Sequence, residues 1–141
     1  MSKSHRKINL FNEQALDLDT KSLERFLYRL SGHLGIVSEV SVKLVTDDIM
    51  RDFNHRYTGR DVPTDVLAFP SEQDWPSETP YAGDILISVE TARRQSQGLL
   101  LNEVKILSLH GFLHLLGYEH KSENGEMGRL ENSLRKEFSL S

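Results

Sequence analysis

The chain has 141 residues, which fits one domain with a sizeable hydrophobic core, and its net charge of −4 disfavours a protein that coats nucleic acid non-specifically. The absence of cysteine excludes disulfides and thiolate metal ligands and agrees with a reducing cytoplasm, where we expect the protein to act. No apolar run reaches the roughly 18 residues of a membrane span, and the basic N-terminus lacks the apolar segment of a secretory signal, so we expect no membrane partner.

The first part of the chain alternates between strand and helix patterns. Residues 7–11 are typical of a short strand. A helix should begin at Lys21, with Thr20 as its N-cap and Gly35 as its stop, because apolar side chains recur between them at a helical period. A second strand with one covered face should follow, since apolar and polar residues alternate around Val40, Val42 and Leu44.

The middle of the chain predicts a helix, an edge strand and a loop. Thr46 and the two aspartates after it indicate a helix start, and this helix should turn Ile49 and Phe53 inward before it ends at Gly59. Residues 63–70 predict a short strand bracketed by prolines, which suits the edge of a sheet. Residues 71–81 hold two further prolines among polar side chains and predict a surface loop.

The last part of the chain is mainly helical. A strand is predicted at residues 84–88, followed by a helix up to Gln97 that stops at Gly98. Asn102 and Glu103 indicate the start of the next helix, and a final amphipathic helix carries the apolar residues Met127, Leu130, Leu134 and Phe138. This order of elements predicts a single α/β (α+β) domain over residues 1–141, with about five helices packed on a small mixed sheet.

Three of the six histidines fall within the eleven residues His110–His120. His110 and His114 are four residues apart, so a helix places both imidazoles on one face. Gly117 can end that helix in the left-handed conformation, and the chain can then turn back and bring His120 to the same point. Three imidazoles with one open position are typical of a catalytic site, so we predict one divalent metal ion held by His110, His114 and His120 on a helix–turn segment. Zinc fits this ligand set best, and nickel, copper and iron also bind imidazole.

The residue beside the first histidine is equally informative. The same histidine spacing occurs in metallopeptidases, where a glutamate at that position acts as general base. Gly111 cannot accept a proton, which disfavours a peptidase. Glu119 is the nearest acidic substitute, although a solvated loop residue or a hydrogen-bond partner of a ligand histidine is the more common role of such a residue.

The run His110–His120, with its glycines, leucines, Tyr118 and Glu119, resembles the signature of the YbeY endoribonucleases, the bacterial rRNA maturation factors. Three further blocks match the family in order and spacing: residues 54–70 (Asn-x-x-Tyr-x-Gly-Arg-Asp-x-Pro-Thr-Asp-Val-Leu-Ala-Phe-Pro), 83–88 (Gly-Asp-Ile-Leu-Ile-Ser) and 126–131 (Glu-Met-x-x-Leu-Glu). The resemblance implies a single-domain, metal-dependent endoribonuclease that cuts single-stranded RNA in rRNA processing, late small-subunit maturation and ribosome quality control. It also implies that the partners are RNA and ribosomal particles or assembly factors, that no DNA substrate is expected, and that the three histidines are the metal ligands.

One position departs from the family pattern. Many members have an arginine, implicated in activity, where this chain has Thr58. Arg56 and Arg60 flank it, and Arg60 matches a basic position of the pattern, so we assign Arg60 as the catalytic candidate that binds phosphate. The alternative is a surface ion pair between Arg60 and Asp61 or Asp65.

Two other functions stay open at the level of sequence. A zinc metallopeptidase-like hydrolase is supported by the histidine spacing and opposed by Gly111. The other is a non-catalytic ribosome-assembly module with a structural metal. This function stays open because Thr58 stands where many family members have the arginine implicated in activity. The nucleophile is open as well, since either water or the 2′-hydroxyl of RNA can attack the phosphate.

Overall fold

The computed structural model describes residues 7–71, 81–118 and 125–140. Within these ranges the chain forms four strands and five helices, which confirms the α/β class with a small mixed sheet. Their bounds in chain order are β1 Lys7–Asn12, α1 Thr20–His33, β2 Glu39–Val45, α2 Asp47–Thr58, β3 Val66–Pro70, β4 Tyr81–Ser88, α3 Val89–Gln95, α4 Leu100–Leu115 and α5 Glu126–Glu137. None of the helices in the described ranges is long and apolar enough to cross a membrane.

The sheet has the strand order β1-β2-β4-β3. β1 pairs in parallel with β2, and β2 pairs in parallel with β4, with Val42 opposite Ile85. β3 runs antiparallel to β4 at the edge, with Phe69 opposite Asp84. The edge position predicted for the proline-bracketed strand is therefore confirmed, although the strand begins at Val66.

Helices cover both faces of the sheet. On the first face, Ile85 and Ile87 of β4 belong to the main core, to which α1 and α4 contribute Leu23, Phe26, Leu27, Leu30, Val104, Leu107, Leu109, Phe112 and Leu113. On the second face, Leu86 forms a separate cluster with Val45 and Met50, and Phe53, Leu67 and Phe69 pack against it. Because successive side chains of a strand point to opposite faces, α2 and α4 lie on opposite faces of the sheet.

β2 is buried on both faces, so the expectation of one covered face was wrong. Val40, Val42 and Leu44 are buried in the main core, as their alternation predicts, but Ser41 between them and Val45 after them are buried as well. The reason is tertiary: β2 lies in the interior of the sheet, and α2 packs on Val45 from the second face.

Two predictions for α1 and α2 were wrong by one residue. The N-cap of α1 is Asp19 and not Thr20, and its carboxylate accepts a hydrogen bond from the Ser22 N–H at 3.0 Å. In α2 the fully buried residue is Met50, whereas the expected Ile49 is 44% exposed. The second face of the sheet offers one small apolar cluster, and the orientation of α2 on it selects Met50.

The bounds of α3 and α4 also differ from prediction. α3 ends at Gln95, two residues before Gln97, and α4 begins at Leu100 with no side-chain cap, so Asn102 does not start it. The two ends of α2 were predicted correctly: Thr46 caps its start, and Gly59 ends it at a φ of +79°.

A hydrogen-bonded carboxylate joins the start of α2 to α3. Asp47 accepts hydrogen bonds of 2.6 Å from Ser88 Oγ, Thr91 Oγ1 and Arg94 Nη1. Burial by itself raises the pKa of a carboxyl, but the three donors outweigh it and lower the pKa of Asp47 to about 2.

α2 and α4 both end where β3 ends and β4 begins, which we call the β3–β4 end (Phe69, Pro70 and Gly83). On the second face, the ring centroid of Tyr57 in the last turn of α2 lies 4.7 Å from that of Phe69. On the first face, α4 approaches β4 so closely that a Cβ on Gly83 would lie 2.8 Å from Leu115 Cδ2. The two helices therefore bring their C-terminal residues to one end of the sheet from opposite faces.

Candidate active site

The structure brings His110 and His114 together. Both lie on α4, and their Nε2 atoms are 3.2 Å apart, with the rings 4.8 Å apart at an interplanar angle of 74°. Two imidazole ligands of one tetrahedral zinc, at the usual Zn–N distance of about 2.0–2.1 Å, hold their nitrogens roughly 3.3–3.4 Å apart. The two Nε2 atoms thus have the separation that a shared metal ion requires.

Glu131 supports this pair from α5. Its Oε1 lies 3.4 Å from Nδ1 of His110, and both side chains are mostly buried, with 16% of His110 and 20% of Glu131 exposed. A carboxylate at Nδ1 favours the tautomer that leaves Nε2 free for a metal, an arrangement common among metal-binding histidines. The sequence reasoning missed this role. The available signal was that Glu131 is an acidic residue within the apolar stripe of α5, between Met127 and Leu134.

His120 lies outside the described residues, as does Glu119. Within the described ranges, histidine, cysteine, aspartate and glutamate side chains form no group of three that could hold a metal. The turn that precedes these two residues follows the prediction, because Gly117 has a φ of +93° and the Tyr118 N–H donates to the Leu113 carbonyl at 3.1 Å. The three-histidine site therefore remains a prediction, with two of its ligands adjacent.

Gly111 is a packing residue. A Cβ at this position would lie 2.7 Å from Cγ2 of the fully buried Ile85, because α4 crosses β4 there. A glutamate side chain at position 111 would therefore point into the core of the first face. The close contact between helix and sheet thus accounts for a glycine at the position where metallopeptidases of this spacing have their base.

Arg60 lies just beyond α2, which packs on the second face, and its side chain is exposed. The alternative ion pairs with Asp61 and Asp65 are not formed. Asp61 accepts from Arg51 at 2.9 and 3.2 Å, and Asp65 accepts from the Val66 N–H and from Gln95 Nε2. The carboxylates nearest to Arg60 in sequence therefore have other partners.

Hydrogen bonds of Thr58 hold the segment that follows α2 and carries Arg60. The Thr58 hydroxyl donates to the Asn54 carbonyl at 2.7 Å, and its oxygen accepts from the Arg60 N–H at 3.3 Å. Arg56, the other flanking arginine, forms an ion pair with Asp52 and lies 5.0 Å above the ring of Phe53. Of the two arginines that flank Thr58, Arg60 is thus the one whose guanidinium makes no ion pair within the described residues.

The histidine pair and Arg60 come from helices on opposite faces of the sheet, and no contact within the described ranges joins them. The histidines lie in the last turns of α4 and Arg60 follows the end of α2, and both helices run towards the β3–β4 end, with the edge strand β3 between them. A substrate that contacts both would therefore have to extend around the edge strand β3.

Tyr81 and Asp84 lie at the start of β4, and the Tyr81 hydroxyl donates to Asp84 Oδ1. Burial and this hydrogen bond raise the pKa of Tyr81 to about 12. The phenol therefore stays protonated at neutral pH and is unsuited to act as a general base.

Comparison with known proteins shows what the chain is similar to. Residues 2–139 match the family model described as Endoribonuclease YbeY. A protein of that name from Sulfurovum sp. (strain NBC37-1) is 32% identical over 142 residues, which cover 96% of this chain and 93% of the relative. One from Moorella thermoacetica is 42% identical over 117 residues, 74% of this chain and 75% of the relative. A solution structure of a Thermotoga maritima protein superposes with a TM-score of 0.57 at 27% identity, over 89% of this chain and 85% of that one.

Proposed function

This chain belongs to the YbeY endoribonuclease family, and from that premise we propose that it is a metal-dependent endoribonuclease of the cytoplasm that cuts single-stranded segments of ribosomal RNA precursors. Small-subunit maturation and ribosome quality control are part of this proposal, with ribosomal particles or assembly factors as partners. The observation that supports it best is the 3.2 Å separation of the His110 and His114 Nε2 atoms, with Glu131 behind His110.

His110, His114 and His120 would hold the metal, for which zinc is the first choice. When bound, such an ion supplies a Lewis acid that polarises a phosphoryl oxygen. Glu131 holds the His110 ring in place, since its carboxylate faces Nδ1 and directs Nε2 towards His114. The close packing of Gly111 on Ile85 fixes α4, and with it both imidazoles, against the sheet.

Arg60 would bind a phosphate of the RNA and offset its negative charge. Its guanidinium reaches solvent and has no competing carboxylate within the described residues, because Arg51 holds Asp61 and Arg56 holds Asp52. RNA is long enough to pass around the edge strand β3, so one strand can contact Arg60 on the second face and the histidines on the first.

A cleavage assay tests this proposal. Zinc-loaded wild-type protein should cut a single-stranded RNA, and His114→Ala should lose at least about a hundredfold in rate, since a ligand of the metal is gone. His55→Ala is the matched control, because His55 is an exposed histidine of α2, and it should keep wild-type activity. If the wild type leaves RNA uncut but cuts peptides in a His114-dependent way, the protein is a peptidase.

Arg60 is tested separately through the salt dependence of RNA binding. Loss of one phosphate contact on single-stranded RNA should reduce the slope of log K against log salt by about 0.7. Arg60→Ala should show this reduction together with slower cleavage, and Thr58→Arg, which restores the arginine of the family pattern, should cleave faster. Arg25→Ala, at an exposed arginine of α1, is the control and should leave slope and rate unchanged.

A non-catalytic assembly module is the second candidate. The observation that favours it is that His110 and Glu131 join α4 to α5, so that a metal at this point would link the two helices. In that case His114→Ala would lower the stability of the protein, and the wild type would associate with ribosomal particles but would not cut RNA.

A further inference from the structure

Three aromatic rings form a cluster on the second face at the β3–β4 end. The Tyr57 ring centroid lies 4.7 Å from that of Phe69, and it is stacked on Phe53 at 6.2 Å with an interplanar angle of 4°. Phe53 and Phe69 are partly buried against Met50 and the rest of the second-face core. We call Tyr57, Phe53 and Phe69 the aromatic cluster.

Tyr57 is held by this cluster and yet reaches solvent. It is 63% exposed, more than any other aromatic side chain in the described part of the chain. The guanidinium of Arg56 lies over Phe53, so within the cluster the open ring surface belongs to Tyr57. An aromatic ring fixed by its neighbours, with one surface in water, is suited to stack on a flat ligand because little side-chain entropy remains to be lost.

The charges around the cluster favour an anionic ligand. The two acidic side chains nearest in sequence are neutralised, since Asp52 pairs with Arg56 and Asp61 pairs with Arg51. Arg60, three residues after Tyr57, is exposed and makes no ion pair within the described ranges, while Asp84, opposite Phe69, accepts a hydrogen bond from the Tyr81 hydroxyl. A flat ring next to an available guanidinium matches a nucleobase and its phosphate.

We propose that Tyr57, supported by Phe69 and Phe53, is a stacking platform for one unpaired base of the RNA, with Arg60 on a neighbouring phosphate. The inference rests on the proposed function for the identity of the ligand as RNA, and it adds a binding subsite on the face of the sheet opposite the histidines. A base within a duplex has both of its faces covered by neighbouring bases, so this platform selects single-stranded RNA. A strand held here lies at the β3–β4 end and can pass around β3 towards His114.

Binding of a single-stranded oligonucleotide that carries 2-aminopurine tests the platform. The fluorescence of this base falls when it stacks, and measurement in EDTA prevents metal-dependent cleavage, so binding is observed separately from activity. Tyr57→Leu should weaken binding by about 5- to 150-fold, because base–aromatic stacking contributes that much per base, and it should abolish the quenching. Tyr57→Phe and Tyr57→Trp should retain both, since each keeps an aromatic ring.

Tyr28→Leu is the matched control, because Tyr28 is a 43% exposed tyrosine on α1, away from the cluster. It should bind as the wild type does, and a fully paired RNA duplex should bind Tyr57→Leu and wild type equally. The proposal is overturned if Tyr57→Leu binds and quenches as the wild type does, if Tyr28→Leu is equally impaired, or if the duplex shows the same loss. If RNA binding depends on Tyr57 but the protein cuts no RNA, the proposed function is refuted and the platform is retained. If the protein cuts RNA but binding does not depend on Tyr57, the platform is refuted and the proposed function is retained.

Discussion

Gly111→Ala tests why a glycine stands beside the first histidine of the site. A Cβ here would lie 2.7 Å from Cγ2 and 3.2 Å from Cδ1 of Ile85, which is fully buried on β4 within a close-packed core. Overpacking of this kind costs about 1–3 kcal/mol, and the better helix propensity of alanine returns up to about 1 kcal/mol of that loss.

Gly128→Ala is the matched control, because Gly128 also lies in a helix and a Cβ there would have no heavy atom within 4 Å. The gain in helix propensity is common to both variants. We therefore expect the free energy of unfolding of Gly111→Ala to be about 1–3 kcal/mol below that of Gly128→Ala. Urea denaturation followed by circular dichroism measures this difference, provided that both variants unfold with the same m-value.

A double-mutant cycle with Ile85→Ala shows whether the contact is the cause. With the Ile85 side chain removed, Gly111→Ala should no longer destabilise the protein, which gives a coupling of about 1–3 kcal/mol. The packing explanation fails if the two glycine variants are equally stable, or if the loss at position 111 persists in the Ile85→Ala background.

Two further predictions concern carboxylates that anchor α2 and His110. The folded pKa of Asp47 is about 2, against about 3.9 in the unfolded chain, so its hydrogen bonds contribute about 2 kcal/mol that is present above pH 5 and lost as the pH falls towards 2. Asp47→Asn should therefore lower the free energy of unfolding by about 2 kcal/mol at pH 7 and much less at pH 2. Asp48→Asn is the control and should change it little, because Asp48 is an exposed aspartate of the same turn. Equal losses in Asp47→Asn at both pH values would contradict a stabilising role of the ionised Asp47 carboxylate. Glu131→Gln should weaken zinc binding about 10- to 100-fold in a chelator competition. Glu137→Gln, on the exposed side of α5, is the control and should leave the zinc affinity unchanged. An unchanged affinity in Glu131→Gln would show that this carboxylate does not position His110.

Features that depend on local chemistry could be predicted from the sequence. The i, i+4 spacing of His110 and His114 fixes their common face on any helix, and Gly117, directly after the apolar run of α4, ends that helix in the left-handed conformation at a φ of +93°. The prolines around residues 63–70 likewise limit that strand to the edge of the sheet. In each case the residue itself restricts the backbone, so no knowledge of the tertiary structure is needed.

The remaining features depend on contacts between distant segments. Ile49 and Met50 are both apolar, and which one is buried is decided by how α2 lies on the second face. The role of Glu131 depends on the docking of α5 against α4, and the packing of Gly111 depends on the crossing of α4 over β4. The choice between Ile49 and Met50 and the packing of Gly111 leave no periodic pattern in the sequence, and the position of Glu131 in the apolar stripe of α5 does not identify His110 as its partner.

The placement of helices on opposite faces also changes how the site is understood. Sequence reasoning groups Arg60 with the histidines as one catalytic set, but the structure separates the helices that carry them by the thickness of the sheet. Both helices nevertheless end at the β3–β4 end. In the proposed arrangement, Tyr57 and Arg60 would bind an RNA strand there, and the histidines would act on a phosphate farther along it.

The rate of RNA cleavage as zinc is returned to metal-free protein tests the central claim most directly. We expect no cleavage of a single-stranded RNA without metal, and a rate that rises with added zinc and saturates at one ion per chain in the wild type but stays at background in His110→Ala. Full cleavage by the metal-free protein, or equal cleavage by His110→Ala, would contradict a metal-dependent endoribonuclease built on this histidine pair.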